Sequence, residues 1–367
     1  MRLYDKSFNN LSKNLLKQHY CPLETFQSHT LIKKIDDFFL HRKNHFLYPD
    51  WHINRELYLY LQKKSKLLQQ MESLKTGIVL EGGGMRGMYT CGILDVLMEN
   101  RIYVDGMVGV SAGIAFGCNY KSRQAGRALR YNVRFSRDKR YSGIMSLLKT
   151  GNYYNAYFAY KLVPTHYDVF DYNVFEETAM ECYAVCFDVK SGEGVYQQLT
   201  HVDKEFFEWI RASASMPVVA QPVEVGGRLL LDGGLADSIP LEFMMNKGYK
   251  RNIVVLTREE GFRKTAERGM WLMKPLLRKW PKVIEALKKR PAHYNMQLQQ
   301  VREQERAGNA FVFRPSKPLN ISRTTHDPAE MNRVYQQGRE EALQRLDELK
   351  RFLANEDPKA PSTPADE

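Results

Sequence analysis

The sequence predicts an α/β fold with a mostly parallel sheet and crossover helices, and three observations carry that reading. Apolar runs of strand length recur, glycine-rich turns close them, and sequence with helical spacing of apolar residues follows each turn. The pattern holds over residues 76–257 of a 367-residue chain and gives way on both sides to charged, helix-like sequence.

The first unit begins at Ile78, Val79 and Leu80, a buried-strand run closed by Glu81-Gly82-Gly83-Gly84-Met85-Arg86-Gly87 and followed by helical spacing over residues 88–98. Three consecutive glycines remove every Cβ from the turn. A ligand can then approach the backbone closely, and the N–H groups can converge on an anion or a developing oxyanion.

The second unit repeats the plan, with a strand over residues 103–110, the turn Gly109-Val110-Ser111-Ala112-Gly113 and a helix from Ile114 onward. This is a nucleophile-elbow pattern, in which the serine sits in a strained conformation and projects above the sheet edge. The following helix adds the partial positive charge of its N-terminus, and the N–H of Ala112 can join the glycine nest in holding negative charge. Gly-x-Ser-x-Gly alone is a weak signal; the strand–turn–helix setting of both motifs gives it weight.

Residues 181–189 and 193–199 read as two strands joined at Lys190-Ser191-Gly192, and residues 206–214 read as a helix closed by Met216-Pro217. After Gly226-Gly227 the run Leu229-Leu230-Leu231 leads into Asp232-Gly233-Gly234. An acid at a strand end is well placed to meet Ser111 across adjacent turns, while a plain Asx-turn is the alternative for Asp-Gly. Residues 253–256 read as the last strand.

The flanks divide into a basic helical extension over residues 1–75, a helical C-terminal region over 258–356 and a polar, proline-containing tail over 357–367 that reads as disordered. Within residues 270–290, Trp271, Leu272, Leu276, Trp280, Ile284 and Leu287 fall near one face opposite lysines, which fits an interfacial membrane segment or a helix packed on the domain. Residues 327–354 read as one amphipathic helix starting at Asp327-Pro328. The arginine-rich stretch 123–140 reads as a solvated face, a phosphate or headgroup contact or a nucleic-acid contact, and the aromatic stretch 149–171 as core packing or an acyl-chain lining.

A net charge of +12 favours an anionic partner, a phospholipid surface or nucleic acid. No run approaches the eighteen apolar residues of a membrane span, and residues 1–20 lack the apolar segment of a secretory signal. The expectation is a cytoplasmic protein, at most peripheral to the inner face of the membrane. The cysteines are odd in number, Cys21, Cys91, Cys118, Cys182 and Cys186, and read as free buried thiols. Cys182 and Cys186 share a strand face, but no second pair completes a zinc site, so no metal is expected.

Gly82-Gly83-Gly84-x-Arg86-Gly87, Gly109-x-Ser111-x-Gly113 and Asp232-Gly233-Gly234, in that order, resemble the patatin-like phospholipase family, particularly its bacterial members. Residues 211–217 are similar to that family too, and the resemblance covers roughly residues 76–257. It implies a three-layer α/β/α fold and lipid acyl hydrolysis by a Ser-Asp dyad, with Ser111 as nucleophile and Asp232 as general base. Gly82, Gly83 and Gly84 match its oxyanion-hole segment, and Arg86 matches a basic position that orients the turn or pairs with a lipid phosphate. Such a reaction needs no metal or cofactor, and its partners would be ester lipids and an anionic membrane surface rather than nucleic acid.

Three competing readings remain. A Ser-Asp-His hydrolase would need a histidine after the acid, and only His293 and His326 qualify, neither at an evident strand end. A soluble esterase or thioesterase would use the same dyad. A basic membrane-binding protein would carry the site only as a vestige.

Overall fold

The structure, a computed structural model, describes residues 75–265 and 270–354. The expectations for the N-terminal extension (Lys75 apart) and for the tail at 357–367 lie outside the described residues, as does Cys21. Strand β1 (Thr76–Leu80) leads through a single 3-10 turn at Gly84–Arg86 into α1 (Gly87–Glu99). Next come β2 (Gly106–Val110), α2 (Ala112–Lys121), α3 (Arg127–Phe135), α4 (Ile144–Thr150), a π-helical segment (Phe158–Tyr167) and α5 (Tyr172–Glu177). The hairpin of β3 (Glu181–Asp188) and β4 (Gly194–Gln198) is followed by α6 (Phe206–Ser213), β5 (Val223–Val225), β6 (Arg228–Asp232), α7 (Leu241–Asn246) and β7 (Arg251–Val255). The C-terminal part adds α8 (Met270–Leu276), α9 (Pro281–Arg306), β8 (Ala310–Phe313), α10 (Pro328–Gln344) and α11 (Leu346–Ala354).

The eight strands among the described residues form one sheet, with β1, β2, β3, β7 and β8 parallel. The register around β3 decides where the site forms. Its residues Tyr183–Val185 pair with both β2 and β4, and Cys186 and Phe187 pair with both β4 and β6. A strand has two edges, so β2 and β6 must occupy the same one, end to end. Val110 lies opposite Val185 and Asp232 opposite Cys186. The end of β2 and the end of β6 are thereby held at consecutive positions of one strand.

Alternation across the strands separates two helical layers, giving the three-layer α/β/α arrangement. Ile78 and Leu80 of β1, Ile253 and Val255 of β7, and Phe311 and Phe313 of β8 pack with residues of α1, α2, α6 and α10. The residues between them, Val79, Val254 and Val312, pack on the other face with Leu241 and Met244 of α7 and Tyr294 and Leu298 of α9. Successive strand side chains point to opposite faces, so a sheet covered on both sides reads as a continuous apolar run.

Several expectations need correction. Residues 253–256 are not the last strand: β8, inside the region read as helical, extends the sheet beyond β7 in parallel. The amphipathic stretch 327–354 is two helices broken at Arg345, whose guanidinium donates to the Val312 carbonyl and stacks 4.3 Å from the Phe311 ring. In the 270–290 segment, Leu277, Val283 and Leu287 are buried against Phe187, Leu231 and Leu235, with Trp280 and Ile284 packed beside them. Of the apolar face named in the sequence, Trp280, Ile284 and Leu287 are thus used within the fold, Leu276 is exposed, and the side chains of Trp271 and Leu272 lie outside the described residues. Among the described residues no helix is long and apolar enough to cross a membrane. Cys91, Cys118, Cys182 and Cys186 are free and buried, as expected.

Candidate active site

The glycine turn and the elbow meet at the C-terminal ends of β1 and β2, where ligands bind in open α/β sheets. Ser111 follows β2 directly and adopts φ 55°, ψ −124°, a strained conformation for a residue with a side chain. Its neighbours have to be glycine: a Cβ at Gly109 would lie 2.6 Å from the Ile114 nitrogen, and one at Gly113 would overlap the Leu80 carbonyl. Gly82 comes so close that a Cβ would lie 2.8 Å from the Val110 carbonyl oxygen and 2.9 Å from Ser111 Cβ. Among the described residues, the N–H groups of Gly82, Gly83 and Ala112 donate to no protein acceptor. They are free to serve a ligand beside Ser111.

Asp232 ends β6 and is 5% exposed; Ser111 is 8% exposed. The Asx-turn and the catalytic reading are compatible here. Asp232 Oδ1 accepts the Gly234 N–H at 2.8 Å, and the Ser111 side chain lies near enough to the carboxyl to lower its pKa. Burial pushes the Asp232 carboxyl above the ordinary aspartate range, against the opposing effects of the Arg290 charge, the Ser111 side chain, the Gly234 N–H and Arg323. A carboxylate with a raised pKa is a stronger base toward a hydroxyl than an exposed one.

Residues that sequence reasoning missed hold the pair in place. The Ser111 N–H donates to Ser213 Oγ at 2.9 Å, and the Ser213 hydroxyl donates to the Val185 carbonyl at 2.6 Å. The Asp232 N–H donates to the Ser215 carbonyl at 2.8 Å. The end of α6 thus touches both candidate residues, which is what the resemblance over 211–217 could have signalled.

Arg86 lies beneath the glycine turn, not open above it. It is buried, its Nε–H donates to Thr257 Oγ1 at 3.4 Å, and that hydroxyl donates to the Gly82 carbonyl at 3.0 Å. Burial lowers its pKa to about 10, with the nearby Arg258 and Arg323 charges adding and Glu81 opposing. Glu81 in turn accepts the Thr257 N–H at 2.6 Å and the Tyr294 hydroxyl at 2.7 Å. Thr257 thus links Arg86 to the glycine turn.

Ser111 stands between two cavities. One, of ≈ 340 Å³, is apolar and aromatic, lined by Phe116, Tyr131, Tyr154, Tyr160 and Ile210. The other is a narrow cleft of ≈ 40 Å³ that also contains Asp232, Gly82, Gly83 and Gly84, with Arg86, Arg258 and Arg323 in its wall. The aromatic stretch therefore serves both readings: Tyr154 and Tyr160 line the large cavity, while Phe158 and Phe170 are core.

The remaining candidates fall elsewhere. His293 lies within α9 beside Asp237, outside both cavities. His326 holds Tyr153 Oη with Nε2 at 2.7 Å and the Ser136 carbonyl with Nδ1. Among the described residues no histidine lines either cavity. In the arginine stretch, Arg127 bonds Asn119 Oδ1 at 2.8 Å and the Asp168 carbonyl at 3.0 Å, and Arg130 grips the Asp168 carboxylate at 2.7 and 2.8 Å. These two tie α3 to the end of the π-helical segment, a role that none of the sequence readings anticipated.

Residues 78–245 match the family model described as patatin-like phospholipase, and residues 280–354 match one described as a domain of unknown function (DUF6363). The lysophospholipase NTE1 of Candida glabrata is 26% identical over 248 residues, which is 66% of this chain and 13% of the relative. The uncharacterized protein YjjU of Escherichia coli K12 is 26% identical over 207 residues, 52% of this chain and 54% of its own. The chain therefore spans only a small part of the first relative and about half of the second. VipD of Legionella pneumophila aligns over 75% of this chain and 67% of its own at 13% identity, with a TM-score of 0.37. The family match and the run of relatives agree with the order of the three glycine motifs along the chain: residues 78–245 are a patatin-like phospholipase domain.

Proposed function

We propose that the protein is a lipid acyl hydrolase that cleaves ester bonds through Ser111 and Asp232, with an acyl-enzyme intermediate and no cofactor. The observation that carries this reading is the strained Ser111, sharing a cleft with a buried Asp232, at the junction of an apolar cavity and a glycine turn. Asp232 takes the hydroxyl proton as Ser111 Oγ attacks the ester carbonyl carbon. The oxyanion is held by backbone N–H groups of Gly82, Gly83, Gly84 and Ala112. Collapse expels the alcohol, which takes the proton back from Asp232, and leaves the acyl group on Ser111. Water, deprotonated by Asp232, then releases the fatty acid.

The apolar cavity suits the acyl chain, and a bilayer is the natural source of one. On α4, Ile144 and Leu148 are 73% and 75% exposed, and Met145 beside them is exposed as well. The same segment continues to Tyr153 and Tyr154 in the cavity wall, and Lys149 at the end of α4 is exposed. An exposed apolar face with a lysine beside it, a few residues from the cavity wall, supports peripheral contact with an anionic membrane.

Acyl release from mixed anionic phospholipid vesicles and from a soluble p-nitrophenyl ester tests the reading. Wild type and the double variant His293→Ala/His326→Ala are expected to be active, and Ser111→Ala and Asp232→Asn inactive on both substrates. An inactive histidine variant would replace the dyad with a triad. An inert wild type would leave a binding protein with a vestigial site.

A further inference from the structure

We propose that the narrow cleft beside Ser111 is a phosphate-recognition subsite, in which Arg258 and Arg323 hold the phosphate group of an ester lipid; this rests on the acyl-hydrolase reading above. The two arginines reach the cleft from different places. Arg258 follows β7 and Thr257, and its guanidinium lies 4.4 Å from the Phe262 ring centre. Arg323 sits in the loop between β8 and α10, inside the region that matches the domain of unknown function.

That loop is fastened to the oxyanion turn itself. The Met85 N–H donates to the Arg323 carbonyl at 3.1 Å. Gly84, at φ +58°, is where the contact is tightest, because a Cβ there would overlap the Arg323 backbone. The position of Arg323 is therefore coupled to the backbone that would hold the oxyanion.

The charges in the cleft wall do not balance. Among the described residues neither Arg258 nor Arg323 forms an ion pair with a carboxylate. Of the two acids in the wall, Glu81 already accepts from Tyr294 and Thr257, and Asp232 already accepts from Gly234. Both arginines are felt by the buried Arg86, whose pKa they lower. Like charges converging in a partly desolvated cleft repel one another, and an anion bound between them relieves that repulsion.

Size and placement narrow the anion down. A volume of ≈ 40 Å³ holds about three waters, at roughly 10–15 Å³ each on the same measure, which suits a phosphate group and excludes a second acyl chain. The apolar cavity opens on the other side of Ser111. An ester carbonyl at Ser111 would then have its acyl chain on one side and its phosphate on the other, the layout of a lysophospholipid or phospholipid. Guanidinium groups suit that ligand because they match phosphate oxygens with paired donors.

The test compares 1-palmitoyl lysophosphatidic acid with 1-monopalmitoylglycerol, which share an acyl chain and differ in the phosphate, in the same neutral detergent micelles. The full chain is used as wild type, Arg258→Ala, Arg323→Ala and Arg323→Lys. Each alanine variant is expected to lose about 10-fold to 100-fold more in kcat/KM on the phosphate lipid than on the glyceride, with Arg323→Lys intermediate. Equal losses on both substrates would assign Arg323 to holding the loop and overturn the proposal, and so would no loss on either.

A second measurement does not depend on turnover. Inorganic phosphate should raise the Tm of Ser111→Ala but not that of Ser111→Ala/Arg323→Ala. A phosphate-dependent Tm in an enzyme that hydrolyses neither lipid would uphold the anion site while refuting the acyl-hydrolase reading. A phosphate-dependent Tm with no substrate discrimination would assign the cleft to free phosphate and overturn the lipid occupant. Absence of any phosphate effect alongside Ser111-dependent glyceride hydrolysis would overturn the subsite and leave the hydrolase standing.

Discussion

Replacing Ser213 with alanine isolates what positions the nucleophile. In the native structure the Ser213 hydroxyl joins the Ser111 N–H to the Val185 carbonyl, at 2.9 and 2.6 Å, and Ser213 is fully buried. Alanine fits the same space but leaves the Ser111 N–H without its acceptor, and a buried unsatisfied donor costs about 1–3 kcal/mol. For a domain of this size each kcal/mol lowers Tm by roughly 2–4 °C, so a fall of about 2–12 °C is expected. The elbow already holds φ 55° at Ser111, and the bond removed is one of those that fix it. Misplacement of a reacting group by about 1 Å can cost about 100-fold in rate, so kcat should drop by about 10-fold to 100-fold with KM little changed. Thermal unfolding and initial rates on a soluble ester measure both effects. A variant with wild-type Tm and kcat would refute the reasoning, because the elbow would then be held without this bond.

Three further outcomes are expected. Because burial raises the Asp232 pKa, the acid limb of the kcat/KM profile should lie above the value of about 3.9 for an exposed aspartate; a limb at or below it would show that burial does not govern this group. The stability sign follows: the native state holds this proton more tightly than the unfolded chain, so the contribution is full below about 3.9 and is lost as pH rises through the folded value. Asp232→Asn should flatten that fall in Tm across the same window, and an unchanged slope would count against it. Gly113→Ala would force a Cβ onto the Leu80 carbonyl and within 2.9 Å of its carbon, so it should cost about 1–3 kcal/mol or more and depress activity along with Tm. Ile144→Glu/Leu148→Glu should weaken vesicle binding by at least about 10-fold, since burying each side chain is worth about 1.5–3 kcal/mol, while leaving soluble-ester turnover intact; unchanged vesicle binding would remove α4 from the membrane contact.

The parts legible in the sequence were those that only glycine permits. Gly82, Gly109, Gly113 and Gly233 each stand where a Cβ would strike backbone, so composition alone marked the turns that surround Ser111 and Asp232. Strands β1, β2 and β6 were legible because their apolar runs ended at such turns, and β3 and β7 as apolar runs by themselves. Strand β8 was not: Ala310–Phe313 is four residues between charged helices, and only its pairing with β7 makes it a strand. The π-helical segment was hidden by Pro164, which argues against any helix by local rules. Ser213 and Arg323 act through bonds to residues far along the chain, and Arg127 and Arg130 act through Asp168. No local pattern announces such partners.

The pairing of β8 with β7 bears on which piece of the chain can be produced and studied by itself. A fragment ending at residue 257, where the three glycine motifs end, would leave the outer rim of β7 with an open row of peptide groups, a template for joining other copies. It would also uncover α1, against which α10 is seated so closely that Cβ atoms at Gly92 or Gly338 would overlap the opposing backbone. The shortest fragment expected to stay dispersed runs through Ala354, and the motif-bearing half alone should precipitate even though it carries Ser111 and Asp232.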